Sequence, residues 1–234
     1  MDINNSIFLV TGGSAGIGKA TAKMLIKNGG KAAITGRDKE KLNKVAKDLG
    51  AFSIQADVAI PEDVEKTYEL FLKEFGRLDC LINNAGIGGG WAEITNLDMK
   101  AFHEVYNVNV FGAAMMGSEA AQLFKKQNYG NIVNIASTAA LKGYANGTVY
   151  ASSKFALRGM TQCWQADLRK YNVRVILINP SEVVTAFGSK ERVERKEVAN
   201  KLRSEEIAHT IVSALKMDDR GFIPEVTIWA TNPF

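Results

Sequence analysis

The sequence predicts an α/β protein: a parallel sheet of about seven strands, doubly wound so that helices cover both faces in three layers. Three observations predict it. Short apolar runs alternate with helix-patterned segments along the 234 residues. Those runs are nearly continuous in apolar character, as strands buried on both faces require. The first of them turns directly into a glycine cluster and then a helix, the start of a strand–helix–strand unit with a right-handed crossover.

In chain order, SIFLVT (6–11), KAAIT (31–35), FSIQA (52–56), LDCLIN (78–83), NIVNIA (131–136) and VRVILIN (173–179) read as strands. FIPEVTIW (222–229) reads as a last strand, and Pro224 inside it would cost a ladder hydrogen bond unless that strand lies on an edge. Helical spacing covers 16–29, 39–50, 61–76, about 100–127, 152–171 and 204–216, and several of these segments close on glycine, a C-terminal cap signal. With 46% hydrophobic residues and no internal repeat, low-complexity tract or linker, residues 1–234 are expected to form one domain. The stretch KERVERKEVANKLR (190–203) mixes charge signs and reads as a solvated helix.

Composition narrows the function. The 29 basic and 25 acidic residues are scattered, which argues against a dedicated nucleic-acid surface. Cys80 and Cys163 give neither metal-ligand spacing nor a disulfide framework, so no metal is expected. No apolar run approaches membrane-spanning length, and the N-terminus lacks the pattern of a leader. The expectation is a soluble cytoplasmic protein that binds no membrane.

The chemistry starts at TGGSAGIG (11–18). Glycines at Gly12, Gly16 and Gly18 allow a tight turn and let a pyrophosphate approach the helix N-terminus, where free N–H groups and the macrodipole favour anions. Ser14 and Ile17 of the same turn join the candidate cofactor set. The spacing G-x-x-x-G-x-G differs from the general dinucleotide fingerprint G-x-G-x-x-G. The second strand ends in TGRD (35–38). Gly36 stands where an acid would hold a ribose 2′-hydroxyl, and Arg37 follows with forked donors suited to a 2′-phosphate. NADP(H) is therefore favoured over NAD(H), with Asp38 left to cap the next helix.

Tyr150 and Lys154 stand four residues apart, hence one turn apart on one helix face if the stretch after Val149 is helical. A phenol titrates near ~10, and a neighbouring ammonium would favour its phenolate. Ser137 could orient a carbonyl oxygen beside both. Tyr144 is the competing tyrosine, but it lacks a lysine at i+4 and reads as a pocket wall.

These residues resemble the short-chain dehydrogenase/reductase family. The shared motifs are T-G-x-x-x-G-x-G at 11–18, Asp57-Val58, N-N-A-G at 83–86, Asn109 in NVNVFG, Ser137, Y-x-x-x-K at 150–154 and a proline-led loop at 180–185. They stand in family order from residue 6 to about 215. The resemblance implies a Rossmann fold and hydride transfer between a nicotinamide cofactor and a carbonyl or secondary alcohol. It implies that Asp57 accepts from the adenine amine with Val58 beside it, and that Asn83, Ala85 and Gly86 shape the fourth strand's end against the riboses. Asn109 would break its helix and hold a water near Lys154. Tyr150 would be the proton donor, Lys154 would hold the nicotinamide ribose and lower the tyrosine pKa, and Ser137 would hold the substrate oxygen. Pro180, Val183 and Thr185 would meet the nicotinamide and phosphates, although Ser181 replaces the family's usual glycine.

A substrate loop is expected at about 181–204, with Ile87, Trp91, Leu141, Tyr144, Val184 and Phe187 as apolar walls and Gly88–Gly90 as a rim. Similarity through the core to 3-oxoacyl-carrier-protein reductases makes a 3-oxoacyl thioester the leading substrate, with small ketones or 3-hydroxy acids as the alternative. A catalytically silent NADP-binding regulator is the alternative of another class. The resemblance also implies a homodimer or homotetramer built on the helices around 100–127 and 152–170.

Overall fold

The computed structural model describes residues 1–187 and 195–232. Its strands are β1 (Ile7–Val10), β2 (Lys31–Gly36), β3 (Phe52–Gln55), β4 (Cys80–Asn83), β5 (Gly130–Ile135), β6 (Val173–Pro180) and β7 (Glu225–Ile228). Every pairing is parallel, in the order β3-β2-β1-β4-β5-β6-β7. The helices are α1 (Gly16–Lys27), α2 (Lys39–Leu49), α3 (Pro61–Phe75), α4 (Met99–Tyr106), α5 (Ala113–Gln127), α6 (Thr148–Leu168) and α7 (Ser204–Leu215).

The alternation within β1 shows how the layers form. Phe8 and Val10 face one side, with Leu25 of α1, Leu42 of α2 and Ile207 and Ile211 of α7. Ile7 and Leu9 face the other, with Phe71 of α3 and Met116 and Phe124 of α5. Strand side chains alternate between faces, so one four-residue apolar run feeds both cores. The order in which successive strands are added reverses between β1 and β4, which leaves a crevice beyond their carboxyl ends, the usual ligand position in such sheets.

Several boundaries differ from the sequence reading. β7 is shorter than 222–229: Pro224 lies just before it and only accepts, taking the Leu177 N–H at 3.0 Å, while β7 forms the sheet edge. The segment near 100–127 is helical but not uniform, because a π-helical stretch at Asn107–Gly112 separates α4 from α5. α6 begins at Thr148, before Ser152, and so contains Tyr150.

The solvated helix expected over 190–203 is corrected in its described part. Residues 195–203 hold no helix; Leu202 bridges Val183 in parallel and packs against the core. That pairing draws the segment out, since the Val184 N–H donates to the Leu202 carbonyl at 2.9 Å. Residues 188–194 of the expected substrate loop lie outside the described residues. Among the described residues no helix is long and apolar enough to cross a membrane.

Candidate active site

The crevice is closed at its base by main chain. Gly12 and Gly16 have φ of 65° and 51°, left-handed values that suit glycine. A Cβ on Gly18 would lie 2.5 Å from Asn84 Nδ2 and from the Gly12 carbonyl oxygen, so the turn closes only on hydrogen there. α1 starts without a side-chain cap and without an acid in its first turn, which leaves its first N–H groups for an outside acceptor. Thr185, from the loop after β6, stands over this point: its Cγ2 would be 3.3 Å from a Cβ on Gly16. Ser14 sits at the turn with its Oγ 3.2 Å from the Cβ position of Gly36, and Ile17 packs onto the core behind. An acidic side chain at residue 36 would crowd Ser14. These features fit a dinucleotide's pyrophosphate.

Thr11 and Asn84, which sequence reasoning did not single out, hold the crevice floor. Thr11 Oγ1 accepts from the Asn84 and Ala85 N–H groups, both at 2.9 Å, and Asn84 Nδ2 donates to the Thr11 carbonyl at 2.9 Å. Both residues lay inside motif strings, and their polarity at the ends of apolar strands was the available signal.

Beyond the ends of β2 and β3, Arg37 follows β2 and Asp57 follows β3. Arg37 Nη1 donates to Asp57 Oδ2 at 3.4 Å, and both side chains are partly exposed. Asp57 Oδ1 also accepts from the Ala59 N–H, while buried Val58 packs against Gly112. Asp38 caps α2 by accepting from the Lys41 N–H at 3.0 Å, as its position in TGRD predicts. Asn83 is 3% exposed, and its side chain donates to the Ala113 carbonyl and Asn134 Oδ1, bracing the end of β4.

Tyr150, Lys154 and Ser137 converge where α6 passes the end of β5. Ser137 precedes a 3-10 turn at Thr138–Ala140 and accepts from the Ala139 N–H, with its hydroxyl beside the Tyr150 phenol. Lys154 is 4% exposed, and its Nζ donates to the Ile135 carbonyl at 3.0 Å. Gly86 lies against both supports: a Cβ there would be 3.3 Å from Asn109 Oδ1 and 3.5 Å from Lys154 Nζ.

Burial dominates the Tyr150 phenol and pushes it up to about 12, with the neighbouring Ser137 hydroxyl pulling the other way. Burial also brings the Lys154 ammonium down to about 8. The cause is geometric: Nζ is 5.8 Å from the Tyr150 ring centroid and engaged by Ile135, while Trp91 and Phe187 cover the ring.

Asn109 does break the helix, since it lies in the π-helical stretch. Its side chain, however, is fully engaged: Oδ1 accepts from the Ile87 N–H at 2.8 Å, and Nδ2 donates to the Ile87 carbonyl and Ser153 Oγ. Ser153 Oγ in turn donates to the Tyr150 carbonyl at 2.7 Å. The amide is thus a brace between the β4 loop and α6.

In the loop after β6, Pro180 is buried at the strand end, Val183 pairs with Leu202, and Thr185 Oγ1 accepts from the Phe187 N–H. Ser181 is absent from the residues with positive φ, so its backbone conformation is open to a side chain. Of the expected walls, Trp91, Tyr144 and Phe187 cluster at Tyr150, Ile87 is held by Asn109, and Val184 pairs with Leu202 through the backbone.

Comparison with known proteins agrees with this geometry. An uncharacterized oxidoreductase of Staphylococcus aureus (strain USA300) is 30% identical over 230 residues, covering 97% of each chain. The alcohol dehydrogenase of the archaeon Thermococcus sibiricus, solved with 5-hydroxy-NADP, superposes with a TM-score of 0.90 at 26% identity over 97% of each chain. The 3-ketoacyl-(acyl-carrier-protein) reductase of Brucella melitensis, solved with NADH, also gives 0.90, at 25% identity over 99% of this chain and all of that one. The family model for short chain dehydrogenases matches residues 6–196, and the chain belongs to that family of oxidoreductases.

Proposed function

We propose that the protein exchanges a hydride between NADP(H) and an apolar carbonyl or secondary-alcohol substrate, with Tyr150 as the proton donor in the reducing direction. The observation that carries the reading is the convergence of Ser137, Tyr150 and Lys154 beside an uncapped α1 N-terminus lined by Gly12, Gly16 and Gly18. The nicotinamide, when bound, supplies or accepts the hydride at the carbonyl carbon. Ser137 Oγ holds the carbonyl oxygen, and Tyr150 Oη gives that oxygen its proton as the C–O bond becomes single. Lys154, at the floor beside Gly86, would hold the ribose hydroxyls and adds positive charge near the phenol. Asn109 holds the Ile87 backbone and α6 in register.

Arg37 beside Gly36 supports the NADP preference, because no carboxylate at residue 36 repels the 2′-phosphate and a guanidinium can bind it. The remaining candidates, Ser14, Ile17, Asp57, Val58, Ala85, Pro180, Val183 and Thr185, complete the proposed cofactor set. The reading also takes the protein to be a cytoplasmic homodimer or homotetramer that uses the outer faces of α5 and α6.

The test is oxidation of NADPH and of NADH, followed by absorbance, across a panel of ketones. No turnover with any ketone, and no response to Tyr150→Phe, would favour a silent cofactor-binding regulator. Likeness to the Brucella reductase favours a second reading, a 3-oxoacyl thioester substrate. Adding acetoacetyl-CoA to the panel separates it from free ketones.

A further inference from the structure

The mouth of the crevice carries three large aromatic side chains in solvent. Trp91, Tyr144 and Phe187 are 51%, 48% and 41% exposed, yet they are not scattered. The Trp91 ring lies 5.4 Å from Tyr150 and 6.4 Å from Tyr144, and the Phe187 ring lies 5.6 Å from Tyr150. They arrive from three separate segments: the loop after β4, the turn before α6 and the loop after β6. A contiguous apolar patch that water covers signals a ligand or partner surface. This one surrounds the phenol of Tyr150.

Gly88 shows that the arrangement is specific. A Cβ on Gly88 would lie 3.0 Å from Phe187 Cε1 and 3.1 Å from Trp91 Cζ2. Both rings therefore rest on the same stretch of backbone, in space left by a missing side chain. Gly88 is not among the glycines with positive φ, so this position uses glycine for room and not for its backbone freedom. The two rings are tilted 55° and 59° to Tyr150, which makes a wedge and not a flat stack. Arg195 of the same loop donates to the carbonyls of Thr185 and Val183.

We propose that Trp91 and Phe187 are specificity-determining residues that grip a planar ring, so that the site takes cyclic or aryl ketones in preference to straight-chain ketones of the same size. This rests on the reading of Tyr150 as the proton donor to a carbonyl. An aromatic ring entering the wedge gains ring-to-ring contacts with both walls while its carbonyl reaches Tyr150 and Ser137. An alkyl chain gains only the area it buries. Each aromatic pair adds roughly two- to tenfold in affinity beyond area.

The test compares kcat/KM for acetophenone and 2-octanone, which have equal carbon number, in the full-length protein and in Trp91→Leu and Phe187→Leu. Leucine keeps apolar bulk and removes the ring. The unmodified protein should prefer acetophenone by roughly tenfold, and each leucine variant should cut that ratio by about two- to tenfold. Gly88→Ala, which pushes on both rings without touching Tyr150, should cut it in the same direction. A ratio near one in the unmodified protein, or variants that lower both substrates equally, would overturn the proposal. If neither ketone turns over with either cofactor, the carbonyl reading fails, and the ring site is then judged by calorimetry. Saturable acetophenone binding that weakens in Trp91→Leu upholds the ring site by itself, and absence of binding sinks it as well.

Discussion

The two walls of the crevice are built by opposite means. On the cofactor side the contacts are backbone and small groups: Thr11 and Asn84 tie β1 to β4 through hydrogen bonds between their side chains and the main chain, and the glycine turn closes around them with no room for a methyl at Gly18. On the substrate side the contacts are large rings, half in water, carried by loops. The first wall is fixed by the fold itself, because altering it breaks strand ends and a helix start. The second is added onto the fold, so its residues can change while the sheet stays intact. A cofactor common to a family and a substrate particular to one member require that division.

Tyr150 belongs to both walls and should give the largest effect. Tyr150→Phe keeps the ring that Trp91 and Phe187 cover and removes only the hydroxyl, so carbonyl reduction should slow by at least ~10²-fold while cofactor affinity stays unchanged. Steady-state kinetics and a fluorescence titration with NADPH read the two halves separately. Retention of most activity would transfer the donor role to Tyr144 and move the chemistry wholly onto the loop side.

Lys154 tests the cost of burying function in the rigid wall. Its folded value, about 8, lies below the ordinary lysine value of 10.5 because of burial. The sign follows from proton binding: between about 8 and 10.5 the unfolded chain holds the proton that the folded chain has lost. The contribution to stability is thus present above 10.5 and lost as pH falls through 8. Lys154→Met should stabilise the ligand-free protein by roughly 2 kcal/mol at pH 7, after allowing for the lost hydrogen bond to Ile135. The gain should shrink toward pH 10, as read by urea unfolding at both pH values. A variant less stable than the parent at pH 7 would mean the ammonium is better solvated than its burial indicates.

Much of this was legible in the sequence, and the exceptions share a cause. β1, β4, β5 and β6 were readable because fully buried strands are rich in apolar runs, and the Tyr150–Lys154 contact was readable because i and i+4 share a helix face. The rise of the Tyr150 phenol was not, since it depends on Trp91 and Phe187, which come from other segments. The segment 195–203 was misread for the same reason: its charges suit a helix locally, but Leu202 pairs with Val183 across the loop. Thr11 and Asn84 escaped notice because their work is to satisfy distant backbone groups, and a lone polar side chain at a strand end does not declare its partner.

Gly18→Ala and Trp91→Ala set the two walls directly against each other. At Gly18 the new methyl would meet Asn84 Nδ2 and the Gly12 carbonyl at 2.5 Å, so strand ends must move, at a cost of about 1–3 kcal/mol in stability. At Trp91, which is half exposed, truncation should change stability by only ~0.5 kcal/mol. Chemical denaturation of both variants checks the contrast. Equal losses would mean that the aromatic rim is part of the core.

The smallest expected effect lies where the cofactor wall itself meets water. Arg37 is 41% exposed, and its ion pair with Asp57, at 3.4 Å, is itself open to solvent. A guanidinium so placed can turn from Asp57 to a 2′-phosphate, exchanging one charged partner for another. The net preference is therefore smaller than a buried charge pair would give: NADPH should bind more tightly than NADH, and Arg37→Ala should narrow the gap by about 1 kcal/mol. Added salt should narrow it further, because partly exposed charges about a Debye length or more from other partners are screened. Dissociation constants for the two cofactors at low and high salt, in the parent and in Arg37→Ala, decide the matter. Equal affinities in the parent would show that Gly36 and Arg37 do not set cofactor choice, and that even the more rigid wall leaves this selection to a residue other than Arg37.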